Sequence, residues 1–227
     1  MSEAQARAWP AAVFFDLDGT LADTADDLAA PVNAMRIERG LKPLAVADLR
    51  PYASMGARGL IGRGLGVERG HPEFDALRDD FLARYETAMC VHTRLFPGMD
   101  EVLAALERHR IPWGVVSNKF ERYVKRILAA LGLDERAIAA IGGDTTRYAK
   151  PHPEPLLHAA RLTGVAPAEA YYVGDDLRDV EAGRAAGMRT IVAAYGFCGD
   201  ALPPHQWGGD FLVESPAEIP IRLGLVR

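Results

Sequence analysis

Short apolar runs alternate with amphipathic stretches over most of the chain. Six runs read as strands: "AAVFF" (11–15), "PWGVVS" (112–117), "AIAAIGG" (137–143), "AYYVG" (170–174), "RTIVAA" (189–194) and "DFLVE" (210–214). They are apolar at successive positions rather than at every second one, the pattern of strands covered on both faces in a parallel sheet. The stretches between them carry helical spacing. In 120–131, Val124, Ile127, Leu128 and Leu131 recur at i, i+3, i+4 and i+7, and Gly132 is a stop. In 99–109, Val102, Leu103 and Leu106 form the stripe, and the Ala-rich segment 179–186 ends at Gly187. Strands alternating with helices predict an α/β fold, a parallel sheet with helices on both faces.

From about residue 22 to about 93 the alternation stops. Helical stripes replace strands there: Leu28, Val32 and Met35 in the first, with Pro31 inside it as a possible kink, and Phe74, Leu77, Phe81 and Tyr85 in the last. The spacing predicts a helical insertion after the first strand, beside the carboxyl ends of the strands, where open α/β sheets bind ligands. Within it, "YASMGARGLIGRGLG" has glycine spacing without a preceding strand, which excludes a dinucleotide fingerprint and predicts a turn with a loose helix start. Arg58 in this segment presents a planar fork suited to a carboxylate or other polar substrate head.

Polar residues gather where the strands end. Asp16 and Asp18 follow the first strand, Ser117, Asn118 and Lys119 follow "VVS", Lys150 precedes a helix, and Asp175, Asp176 and Asp179 follow "YYVG". Parallel strands share one carboxyl edge, so Asp16, Asp18, Ser117, Lys150, Asp175 and Asp176 converge in such a sheet. Carboxylates that close need a cation or a shared proton. A hard divalent ion such as Mg2+ takes oxygen ligands and a phosphate, and a hydroxyl, a lysine and backbone N–H groups hold that phosphate. Ser117 with Asn118, and Asp176 with Asp179, also suit the caps of the helices that follow.

The remaining features narrow the class. A net charge of −5 gives no basic footprint for nucleic acid, and no apolar run approaches a membrane span. Cys90 and Cys198 stand far apart without metal spacing, read as idle thiols of a reducing cytosol. The N-terminal "MSEAQARAWPAAVFF" lacks the regions of an export signal, so a cytoplasmic protein is expected. His152, Lys119 and Asp23 receive no assigned role.

Four motifs in order, "DLDGT", "VVSNK", "KPHPEP" and "GDDLRD", resemble the signature of the haloacid dehalogenase superfamily of phosphatases over roughly residues 11–197. Within it the chain is most similar to phosphoglycolate phosphatases. The segments "LFPGMDEVLAAL" and "GDDLRDVEAGRAAGM" also resemble bacterial N-acetylmuramic acid 6-phosphate phosphatases. The resemblance implies a Rossmann-like core, 1–21 and 94–227, with an inserted helical cap, 22–93. It implies a Mg2+-dependent phosphomonoesterase that acts through an aspartyl-phosphate on a small phosphorylated metabolite, as a monomer or homodimer.

By the same resemblance Asp16 is the nucleophile and Asp18 the general acid and base, its backbone carbonyl a metal ligand. Asp16, Asp18, Asp175 and Asp176 attend the metal, with Asp176 either a ligand or an outer acid. Ser117, Asn118 and Lys150 bind the phosphate, Lys150 also neutralises the nucleophile, Thr20 and Asp179 orient their neighbours, and Arg58 reads the substrate. A haloacid dehalogenase lacks Asp18 and the second acidic pair. A sugar-phosphate mutase keeps all four motifs. A phospho-receiver domain has no insertion of this length.

Overall fold

A computed structural model describes residues 9–199 and 201–226. Residues 1–8, part of the stretch read as carrying no export signal, lie outside them. The chain opens with β1 (Ala12–Phe15), then β2 (Ala22–Asp23), and enters four helices, α1 (Ala25–Glu38), α2 (Val46–Ala53), α3 (Gly56–Leu65) and α4 (Phe74–Thr87). It returns through β3 (Arg94–Leu95), α5 (Met99–Arg108), β4 (Trp113–Val116), α6 (Glu121–Ala130) and β5 (Ala140–Ile141). It closes with α7 (Glu154–Thr163), β6 (Ala170–Gly174), α8 (Leu177–Ala186), β7 (Arg189–Ala193), β8 (Phe211–Val213) and α9 (Ile219–Arg222).

The six expected strands form one parallel sheet in the order β5-β4-β1-β6-β7-β8. All four residues of β1 are buried, because both sheet faces are covered. Val13 and Phe15 pack with the stripes of α5 and α6, whereas Ala12 and Phe14 pack with α7 and α8. The apolar cluster of the first face runs without a break into Leu28, Val32, Phe81 and Tyr85 of the insertion. Among the described residues no helix is long and apolar enough to cross a membrane.

The insertion hangs from a two-residue antiparallel ribbon, in which Ala22 pairs with Leu95 and Asp23 with Arg94. Helix α1 continues through Pro31. The glycine-rich segment, expected as a turn with a loose helix start, holds the end of α2, a turn at 54–55 and the ten-residue helix α3. Its glycines permit close packing: a Cβ on Gly64 would lie 2.3 Å from the Val32 side chain.

Candidate active site

Register brings the polar strand ends together. Phe15 pairs with Val115 on one side and Val173 on the other, so Asp16, Ser117 and Asp175 emerge within a residue or two of one level. A tight turn follows β1, in which the Asp16 and Leu17 carbonyls both accept the Leu21 N–H. Gly19 sits in this turn at φ +84°, against Asp175: a Cβ there would lie 2.1 Å from Asp175 Oδ2.

Asp16, Asp175 and Asp179 present carboxylate oxygens within 4.8 Å of one another. The Thr20 hydroxyl donates to Asp175 Oδ1 at 2.9 Å, and the Phe197 N–H donates to its Oδ2 at 2.8 Å. Burial, then the charges of Asp16 and Asp179, push the Asp175 carboxyl well above its usual range. Burial also raises Asp179, which settles at about 6 against the opposing charge of Lys150. A buried cluster this rich in carboxylate and limited to oxygen donors fits a hard divalent cation such as Mg2+.

Lys150 supplies one counter-charge. Its Nζ lies 3.0 Å from Asp16 Oδ1, 2.7 Å from Asp179 Oδ1 and 2.7 Å from the Tyr172 hydroxyl, which in turn donates to the Val116 carbonyl at 2.6 Å. Burial disfavours the ammonium, but Asp16 and Asp179 outweigh burial and raise it above the ordinary lysine value. A second pair stands beside it. Both Asp18 oxygens accept Lys119 Nζ at 2.8 Å, and Asp18 Oδ1 accepts the Thr24 hydroxyl at 2.6 Å. That bond takes Thr24 away from capping α1.

Asp16, Asp18, Lys119, Lys150 and Asp179 line a cavity of about 410 Å³ that also has residues of the insertion in its walls, among them Leu28, Ser54, Phe81 and Tyr85. Ser117 is 3% exposed and on its wall; its oxygen accepts the Lys119 N–H at 3.3 Å, which leaves its own O–H for a ligand. Asn118 also lines the cavity, but its side chain clamps the Lys150 backbone, donating to the carbonyl and accepting the N–H, both at 2.9 Å.

Asp176 lines the same cavity, and Arg58 lies outside it. Asp176 lies outside the three-acid cluster, and Asp179 lies within it. Asp176 caps α8 through the Arg178 N–H at 2.9 Å and holds the Arg178 guanidinium at 2.7 and 2.8 Å, so its carboxylate is turned to the helix start. These contacts, Arg178 foremost, outweigh burial and lower its pKa. Arg58 is exposed and absent from the cavity wall. It faces a neighbouring cleft with Arg69, His71 and Arg78, because α3 buries Gly59, Leu60, Ile61 and Gly64. Arg78 reaches both spaces.

Lys119, Thr24 and Tyr172 were not assigned from the sequence. Lys119 follows Ser117 and Asn118 at a strand end, the signal that marked its neighbours. A tyrosine inside an apolar strand reads as core, and Tyr172 carries no further mark.

A profile of the family described as haloacid dehalogenase-like hydrolase matches residues 13–193. An N-acetylmuramic acid 6-phosphate phosphatase of Pseudomonas putida is 43% identical over 208 residues, 92% of this chain and 93% of that protein. A phosphoglycolate phosphatase of Xanthomonas campestris pv. campestris is 44% identical over 214 residues, 93% of this chain and 95% of that protein. Among solved structures, one described as a predicted phosphoglycolate phosphatase from Haemophilus somnus superposes with a TM-score of 0.82 at 28% identity, covering 96% of this chain and 99% of that one.

Proposed function

The chain belongs to the haloacid dehalogenase-like hydrolases and is a phosphatase, and on that premise we propose that it cleaves small phosphate monoesters through a phosphorylated Asp16. The observation that carries this is the Asp16 carboxylate, 3.0 Å from the Lys150 ammonium, in a cluster of acids that opens on a cavity. Asp16 attacks phosphorus, the ester P–O bond breaks, and Asp18 gives its proton to the leaving oxygen. Asp18 then takes a proton from the water that attacks the phosphoryl group and frees Asp16. Lys119 donates to both Asp18 oxygens in this structure and so positions the carboxyl group.

Asp16 and Asp175 would hold Mg2+. Asp179, held by Lys150 and by the Asp176 N–H, would serve as an outer acid that orients its neighbours. When bound, Mg2+ supplies positive charge that offsets the acids and draws the phosphate onto them. Lys150 and the Ser117 hydroxyl bind the phosphoryl oxygens, and Asn118 fixes the Lys150 loop. Residues 22–93 act as a cap over the core formed by 1–21 and 94–227, and exclude water from the reacting groups. The absence of a membrane-spanning helix among the described residues and the two free cysteines support a cytoplasmic location.

The substrate assigned first is 2-phosphoglycolate. A second reading, N-acetylmuramic acid 6-phosphate, is supported alongside the first by the named relatives. The cavity, at about 410 Å³, lies in the range that takes drug-sized ligands. Phosphate release from both esters with Mg2+ tests the proposal. Asp16→Asn is expected to lose turnover by several orders of magnitude on each, and chelator to abolish it in the wild type. Retained turnover by Asp16→Asn, with deamidation excluded by mass spectrometry, would overturn the covalent route. The ratio of kcat/KM for the two esters decides between the substrates.

A further inference from the structure

Three buried side-chain polar atoms lack a hydrogen-bond partner among the described residues: Ser54 Oγ, Tyr85 Oη and Glu154 Oε2. Two of the three line the cavity beside Asp16. Buried polar groups are nearly always paired, because an orphaned one costs stability. Tyr85 is 2% exposed and sits in apolar company, near Leu28, Phe81 and Tyr123. Its polar neighbour is Lys119, which makes no hydrogen bond of normal geometry with the hydroxyl, so the hydroxyl stands ready to bond a group that enters the cavity.

Its position says which part of a substrate it meets. Lys119 Nζ lies 4.9 Å from the centre of the Tyr85 ring, and Lys119 holds both oxygens of Asp18, the residue assigned to the leaving oxygen. Tyr85 therefore borders the leaving group and not the phosphate. Burial foremost, with Asp18 adding to it and Lys119 opposing, pushes the phenol up to about 12, so it stays protonated and donates. Ser54 follows α2, and its carbonyl accepts the Arg178 guanidinium at 2.8 Å, which fixes the residue against the core.

We propose that the Tyr85 and Ser54 hydroxyls are specificity-determining contacts that hydrogen-bond oxygens of the leaving group, so that the cavity selects phosphate esters of oxygen-bearing alcohols over apolar ones. This rests on the phosphatase reading of the same site. The test compares kcat/KM of wild type, Tyr85→Phe and Ser54→Ala on two esters with Mg2+. One is the better of 2-phosphoglycolate and N-acetylmuramic acid 6-phosphate; the other is phenyl phosphate, whose leaving group is apolar beyond its ester oxygen.

Each variant is expected to lose about 10- to 100-fold more on the oxygen-bearing ester than on phenyl phosphate. The melting temperature of Tyr85→Phe without substrate is expected to equal or exceed that of wild type, since an unpaired hydroxyl is removed. Equal losses on both esters, no loss on either, or a lowered melting temperature with an unchanged ratio would each overturn the assignment. Asp16→Asn measured on the same two esters checks the phosphorus chemistry on its own, so a failure there is distinguishable from a failure of the hydroxyl contacts.

Discussion

Replacing Lys150 by Met keeps the length of the side chain and removes its charge, which isolates what the ammonium does. Lys150 is 5% exposed, and its three N–H groups face Asp16, Asp179 and the Tyr172 hydroxyl. Removing one partner of a buried pair costs about 3–5 kcal/mol. For a chain of this size each kcal/mol moves the melting temperature by roughly 2–4 °C, so the variant is expected to melt about 6–20 °C lower at pH 7.5 in chelator. Two conditions should narrow that gap. Mg2+ returns positive charge to the same acids. Acid does the same by protonating them: Asp179 already sits at about 6, raised by burial against Lys150, and without the ammonium it rises further. A carboxyl raised on folding contributes stability that is full below its unfolded value of about 4 and is lost as pH climbs through the folded value. The variant therefore approaches wild type between pH 7.5 and pH 5. Differential scanning fluorimetry at both pH values, with Mg2+ and with chelator, measures all four corners, and urea denaturation checks the energies. A penalty of the same size in every corner would refute the reasoning, because the ammonium would then hold something other than the charge of the acids.

Asp18→Asn is expected to slow alkyl phosphates more than aryl phosphates, whose leaving groups need less protonation; equal losses measured on both would remove the acid role from Asp18. In the wild type, Mg2+ is expected to raise the melting temperature more at pH 7.5 than at pH 5.5, because the raised carboxyls of Asp175 and Asp179 shed protons to take the ion. An equal shift at both pH values would contradict the metal assignment. Gly19→Ala is expected to weaken Mg2+ binding, since the new Cβ would stand 2.1 Å from Asp175 Oδ2 and the residue would be held at φ +84°. Calorimetric titration with Mg2+ checks it, and an unchanged affinity would show that Asp175 does not need its present position.

The six sheet strands were legible because most of their residues are apolar at successive positions, as β1 and β4, buried throughout, show most plainly. The converging acids were legible for a related reason: a polar residue directly after such a run marks a strand end, and parallel topology puts those ends on one edge. Strands β2 and β3 were not, since two residues carry no periodicity. Asp176 was legible only as one of two adjacent acids at a strand-to-helix turn, suited to a cap or to the metal, because only the turn of the backbone decides which carboxylate faces the helix N–H groups. The position of Arg58 depends on helical phase: in a segment so rich in glycine, the sequence does not say which side of α3 packs inward. Lys119 and Tyr172 act through partners 101 and 22 residues away, a distance that no local pattern spans.

The ribbon of β2 and β3 bears on descent. Residues 24–93 leave the sheet and rejoin it at paired positions, so the ends of that segment are already together. Closing a long loop costs only about 0.6 kcal/mol more for each doubling of its length. Lengthening, trimming or exchanging the helices between Asp23 and Arg94 therefore leaves the register of β1 with β4 and β6 untouched, and with it the spacing of Asp16 to Asp175. A lineage built this way inherits its chemistry through one part of the chain and acquires new appetites through another.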